Sequence, residues 1–135
     1  MSGPSNYNQQ VIEQFRASGG KPGGPNQLIL LTTTGAKSGQ PRISPVAYST
    51  DGDRLVIVAS KGGAPTNPDW FANLVKNPIV TVEQGAETFQ ARATVVEGEE
   101  RDRLYARHAE LMPGFADYVT KTTRVIPVIV LERIS

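Results

Sequence analysis

Two stretches of the chain gather residue types that can hold an anion. Around Lys37 the order is Gly35-Ala36-Lys37-Ser38-Gly39, followed closely by Arg42, and around Lys61 it is Ser60-Lys61-Gly62-Gly63. Lysine and arginine give charge-assisted hydrogen bonds to phosphate and carboxylate, while glycine lets backbone amides approach a ligand closely. One such stretch reads equally well as a solvated hairpin turn. It is not a Walker loop, which needs a longer Gly-bracketed spacing, a Lys-Ser/Thr pair after the second Gly and a following helix. The second stretch shifts the balance, because it repeats the arrangement directly after the apolar run Leu55–Ala59. The rest of the composition narrows the alternatives. Cysteine is absent, which removes disulfides, thiolate metal sites and a thiol nucleophile and fits a reducing compartment. His108 is the sole histidine and the acidic residues lack metal-ligand spacing, so no protein-bound metal is expected. His108 shares a helix face with Leu104, Leu111 and Met112, which reads as a half-buried packing histidine before a proton donor.

The elements that must position these loops follow from periodicity. Tyr7 to Ala17 carries Val11, Ile12 and Phe15 as a narrow apolar stripe, giving a short amphipathic helix, and Ser18 to Asn26 is a Gly/Pro-rich connector. Leu28 to Thr33, Pro41 to Tyr48 and Leu55 to Ala59 read as three consecutive antiparallel strands, the last two joined at Thr50-Asp51-Gly52-Asp53. Asn67 is placed as N-cap and Pro68 as first residue of a helix through WFANLVKN. Val80 to Glu83 and Thr88 to Val96 form another hairpin at Gln84-Gly85, Glu97 to Leu111 a charged helix, and Phe115 to Lys121 a short one. The apolar run Val125 to Leu131 is a strand, and Pro127 within it suggests an edge or a bulge. About six mostly antiparallel strands with two to four peripheral helices give a mainly β, α+β fold and favour a small barrel. No βαβ repeat or GxGxxG is present.

A chain of 135 residues fits one domain. We expect residues 1–26 to hold the short helix and connector, and 27–135 to hold the barrel. The formal net charge of +1 gives no reason to expect nucleic-acid binding. No apolar run approaches the roughly 20 residues that span a bilayer, and the start MSGPSNYNQQ lacks a secretory layout, so the expected location is cytoplasmic. The first helix lacks a strong basic face. Packing on the barrel is therefore preferred to contact with the inner face of the membrane, which stays as a lesser alternative.

LLTTTGAKSGQPR, SKGGAPTNPDWFANL and the R-x-IPV at Arg124 to Val128 resemble, in order and spacing from about Gln27 to Leu131, the deazaflavin-dependent nitroreductases of mycobacteria and related actinobacteria. The resemblance implies a split β-barrel related to the flavin-binding pyridoxamine-phosphate oxidase fold and a bound coenzyme F420. It implies that Lys37, Ser38 and Gly39 of the first loop, with Arg42, receive the phosphate and glutamate tail. Pro45, Val58, Ala59, Ser60, Lys61 and Gly62 would lie around the deazaflavin ring, with Trp70 and Asn73 on the helix that closes the site. Residues three apart share a helix face, so the Trp70 indole could pack near the ring while the Asn73 amide bonds a polar edge. On the residues alone Trp70 reads as core packing.

The implied reaction is hydride transfer from the reduced deazaflavin to a small electron acceptor: a quinone, an activated enone or a nitroaromatic. The cofactor carries the hard step, which accounts for the absence of a catalytic triad or metal motif. The departures concern the acceptor. Where nitroimidazole-reducing members carry tyrosines, this chain has Ala47 and Phe115, and only Tyr118 remains, as a substrate or proton contact or as a plain helix-surface aromatic. Weak nitroimidazole reduction with retained quinone or enone reduction is expected. A flavin mononucleotide or haem-binding barrel and a non-catalytic F420 carrier are the alternatives, and the chain could be monomer or homodimer.

Overall fold

The computed structural model describes residues 6–19, 28–59, 67–111 and 126–134. Strands β1 (Leu28–Thr34), β2 (Pro41–Ala47), β3 (Ser49–Asp51), β4 (Arg54–Val58), β5 (Ile79–Gln84), β6 (Glu87–Val96) and β7 (Val128–Arg133) form one sheet, in the order β2-β1-β5-β6-β7-β4-β3. Every pairing is antiparallel. Helices α1 (Asn6–Ala17), α2 (Asp69–Lys76) and α3 (Gly98–Leu111) complete the described elements.

The sheet's two edges, β2 and β3, are separated in sequence only by Tyr48. Since one residue advances the chain by about 3.8 Å, the sheet must curl until its edges meet. This is the barrel. Closure is incomplete, because β3 pairs with β4 only from Arg54 to Val56, while β2 pairs with β1 alone among the described residues. A slot therefore opens between β2 and the end of β4, and the fold is a split barrel.

Side chains alternate between the barrel interior and an outer layer. Ile29, Leu31, Leu55, Ile57, Val80, Val82, Phe89, Ala91, Ile129 and Leu131 fill the interior, joined by Trp70 and Leu74 from α2. Outside, Ile12 and Phe15 of α1 cover Leu30 and Ile43, while Leu104 and Tyr105 of α3 cover Val56, Val58, Val128 and Val130. These covers explain the sequence pattern. β1, β4 and β7 are buried on both faces and read as unbroken apolar runs, whereas β6 exposes Gln90, Arg92 and Thr94 and so alternates. Gly52 (φ +65) and Gly85 (φ +59) supply the left-handed residues of the two tight hairpins, where an L side chain is strained.

Several expectations need correction. Seven strands are described, against about six expected, because the stretch Pro41 to Asp51 breaks at Tyr48 into β2 and β3. The three consecutive strands are not three neighbours: β2 and β4 lie far apart in the sheet order, since the hairpin at Gly52 joins β3 to β4. Pro127 marks neither edge nor bulge; it precedes β7, an interior strand, and its carbonyl accepts the Ala59 N–H at 3.0 Å. Pro68, not Asn67, occupies the cap of α2, with extended φ −66 and ψ 154 and no side-chain cap bond. The helix expected at Phe115–Lys121 and the connector from 20 to 26 lie outside the described residues.

Candidate functional site

Strand direction decides where the two basic loops emerge. β1 and β4 are an even number of antiparallel steps apart, so both run the same way and the chain leaves both at one end of the barrel. At that end lie the Gly35–Gln40 loop after β1 and, after β4, the buried Ala59. Ser60, Lys61 and Gly62 lie outside the described residues, as does Tyr118.

The first loop is a closed turn. Gly35 N–H donates to Gln40 O at 2.8 Å, Gly39 N–H to Gly35 O at 2.9 Å, and Gln40 N–H to the Ser38 hydroxyl at 3.2 Å. Gly39 adopts φ +70, where an L side chain is strained, and a Cβ at Gly35 would stand 2.5 Å from Ser38 Oγ and displace that hydroxyl. Ser38 thus folds into the loop while its hydroxyl hydrogen remains available to an acceptor.

Helix α2 grips this loop. Asn73 Oδ1 accepts the Ala36 N–H at 2.9 Å, Asn73 Nδ2 donates to Thr33 Oγ1 at 3.1 Å, and Lys76 Nζ donates to Ala36 O at 2.8 Å. Asn77 Nδ2 reaches Thr34 O at 3.5 Å. Lys76 was missed by sequence reasoning, although its spacing of three from Asn73 on the helix already placed the two side by side.

Two exposed cations stand at this end. Lys37 and Arg42 are exposed and make no ion pair among the described residues, whereas Arg16, Arg54, Arg101, Arg103 and Arg133 all do. With Lys76, whose Nζ is bonded to Ala36 O, they make three cations around one loop, a concentration of positive charge suited to an anion. No cluster of His, Cys, Asp or Glu suited to a metal occurs among the described residues.

The other expected positions are distributed over both faces. Register pairs Arg42 with Thr33, and Pro45 with Leu30, so Arg42 lies on the interior side of β2 and Pro45 on the α1 side. Val58 is buried under α3, and Ala59 belongs to the interior cluster. Trp70 is 8% exposed, packed in that same cluster.

A family model described as F420H(2)-dependent quinone reductase matches residues 7–133. The chain belongs to this family. Within it, an F420H2-dependent quinone reductase of Mycobacterium tuberculosis is 43% identical over 117 residues, covering 83% of this chain and 76% of that protein. The solved structure of an F420H2-dependent reductase is 42% identical with a TM-score of 0.72, covering 78% of this chain and 93% of that one. A further solved structure, described as a domain-swapped dimer, is 37% identical with a TM-score of 0.74, covering 92% and 98%. The family resemblance read from the loop and helix motifs is thereby established, as is the split-barrel fold.

His108 belongs to the opposite end of the quinone-reductase barrel. It is fully buried, not half-buried, with Nδ1 2.8 Å from Ser49 Oγ on β3. Burial pushes its pKa down to about 4, so the ring is neutral at physiological pH. Nearby, hydrogen bonds from Arg103 and Arg54 hold the Asp51 carboxyl at about 2, and Arg107 donates to Thr50 O at 3.1 Å. These contacts fix α3 to the β3–β4 hairpin and leave His108 without a role at the loop end. Among the described residues no helix is long and apolar enough to cross a membrane.

Proposed function

We propose that this chain is an F420H2-dependent oxidoreductase whose acceptor is a quinone. The observation that carries the reading is the cation set Lys37, Arg42 and Lys76 around a loop held rigid by α2, in a chain belonging to the F420H2-dependent quinone reductase family. When bound, reduced coenzyme F420 supplies the hydride. The chain's own residues bind and orient. Lys37, Arg42, the Ser38 hydroxyl and the backbone at Gly39 take the phosphate and glutamate tail, and Ser60, Lys61 and Gly62 with Pro45, Val58 and Ala59 border the ring at the slot. Val58 and Ala59 act there through their backbone, since their side chains are buried. Trp70 supports this end of the barrel from within the core, and burial of the neighbouring apolar side chains excludes water from the reacting face.

The finer acceptor reading rests on residue types. With Ala47 and Phe115 where relatives carry tyrosines, and Tyr118 as the remaining phenol, quinones and activated enones are favoured over nitroimidazoles. A homodimer is the favoured assembly, in line with the relative described as a domain-swapped dimer. Peripheral contact with the inner membrane face is not favoured. The apolar stripe of α1 is occupied, since Ile12 and Phe15 lie against the sheet.

The test is direct. Coenzyme F420, flavin mononucleotide and haem are titrated in turn, followed by oxidation of the reduced deazaflavin with menadione and with a nitroimidazole. F420 alone should bind tightly. Lys37→Met and Arg42→Met should each weaken it about tenfold, through loss of a charge-assisted contact. Tight binding without turnover would indicate a carrier, preferential flavin mononucleotide or haem binding would refute the cofactor assignment, and nitroimidazole turnover matching that of menadione would refute the acceptor reading.

A further inference from the structure

Asn73 was expected to face the ring, yet its amide is engaged within the protein. Only the oxygen can accept from the Ala36 N–H, so that bond fixes which way the amide points, and the nitrogen is then directed at Thr33 Oγ1. The side chain is 7% exposed and Thr33 is 1% exposed. Three pieces of the anion end are joined through this one amide. They are α2, which carries Trp70 one turn earlier; the end of β1, where Thr33 is paired across the ladder with Arg42; and the amide next to Lys37.

The geometry points to Asn73 as a positioning residue that sets the tail-binding loop, with Thr33 as its partner, and not as a contact of the ring; this rests on the F420 reading above. Without the Asn73 oxygen, the Ala36 N–H loses its protein acceptor, and at the point where Lys37 begins the loop is left with the exposed Lys76 bond to Ala36 O as its link to α2. Lys37 would then sample positions that the turn now excludes, and ordering it again would oppose binding of the charged tail. A ring lodged at the slot does not depend on that ordering. The inference therefore makes a claim that a general stabilising role would not make: loss of Asn73 discriminates between the complete cofactor and its chromophore.

The experiment uses Asn73→Ala and Thr33→Val in the full chain. Thr33→Val keeps the size of a side chain too buried to touch a ligand and removes the hydroxyl that Asn73 Nδ2 bonds, so its effect on the tail is indirect. Two readouts are taken: dissociation constants for coenzyme F420 and for the deazaflavin chromophore lacking phosphate and glutamates, and hydrogen exchange at the Ala36 amide with β5 amides as internal reference. We expect Asn73→Ala to weaken F420 about tenfold and Thr33→Val about threefold, with the chromophore changed less than about twofold in both. Exchange at Ala36 should accelerate in Asn73→Ala while β5 amides stay protected. An equal loss for F420 and chromophore overturns the inference in favour of direct ring contact, and an unchanged Ala36 amide overturns it altogether. A wild-type chain that binds neither ligand refutes the F420 reading instead, and Ala36 exchange still judges the clamp.

Discussion

Acid should loosen this protein in a window set by one side chain. His108 is fully buried, and burial holds its pKa near 4 against an ordinary value of 6.5. Above pH 6.5 the ring is neutral in the folded and unfolded chains alike. As the pH falls, the unfolded chain takes up the proton first, so stability declines from about pH 6.5 to about pH 4 and then levels as the folded form is protonated too. The gap between the two values corresponds to roughly 3 kcal/mol, of which about 2 kcal/mol is lost between pH 7 and pH 5. For a domain of this size that is a fall in Tm of roughly 6 °C. Asp51 contributes in a separate window: its carboxyl lies at about 2 through Arg103 and Arg54, so its stabilisation is present above about pH 4 and is lost as the pH falls towards 2. Urea unfolding followed through the fluorescence of Trp70, the sole tryptophan, resolves the two. His108→Gln can still bond Ser49 and cannot titrate, so its stability should change by less than about 0.5 kcal/mol between pH 7 and pH 5. If that variant retains the wild-type slope, His108 is not the group responsible and the assignment fails.

Two further predictions concern the loop and the first helix. Gly35→Ala places a Cβ 2.5 Å from Ser38 Oγ and 3.2 Å from Gln40 O, so it should displace the serine, loosen the turn and weaken cofactor binding. Adding Ser38→Ala should restore part of the loss, a non-additivity of about 1 kcal/mol measurable in a double-mutant cycle; strict additivity would contradict the crowding. Phe15→Ala should cost about 3 kcal/mol, because it uncovers Leu30 under α1. Arg16→Ala, which breaks the exposed 2.9 Å bridge to Glu83, should cost less than about 1 kcal/mol in the same denaturation assay.

Local features were readable from the chain, and non-local ones were not. The hairpins at Gly52 and Gly85, the apolar strands β1 and β4 and the extent of α3 depend on neighbours within a few residues, and all were visible as turn chemistry or periodicity. The break at Tyr48 was not visible, because it arises from closure of the sheet, which brings together strands remote in sequence. Pro127 suggested an edge from its missing donor, but it stands before the interior strand β7, where its carbonyl is what the sheet uses. His108 appeared half-buried because its partner Ser49 lies 59 residues away. At the site, the pattern placed Asn73 on a helix and Lys37 in a turn after an apolar strand, as they stand in the fold. It could not give the contacts of Asn73, since Thr33 and Ala36 are 40 and 37 residues distant.

The slot follows from the composition of β2. A fully closed barrel would require β2 to donate hydrogen bonds on both sides, yet Pro41 and Pro45 carry no N–H and prolines are confined to strand edges and bulges. The chain resolves this at Tyr48. That residue packs against the barrel core, its hydroxyl accepts a hydrogen bond from Gln84 Nε2 at 3.3 Å, and only the three residues after it, Ser49–Asp51, rejoin the sheet beside β4. β2 therefore stays with β1 and leaves its other edge open, while β4 stays with β7 up to Val58. On the proposed reading the two halves of the cofactor then meet different parts of the fold. The charged tail meets a loop fixed by α2, and the ring meets an edge that the prolines keep unpaired. Replacing Pro45 would bear on the second half alone, and altering Asn73 on the first.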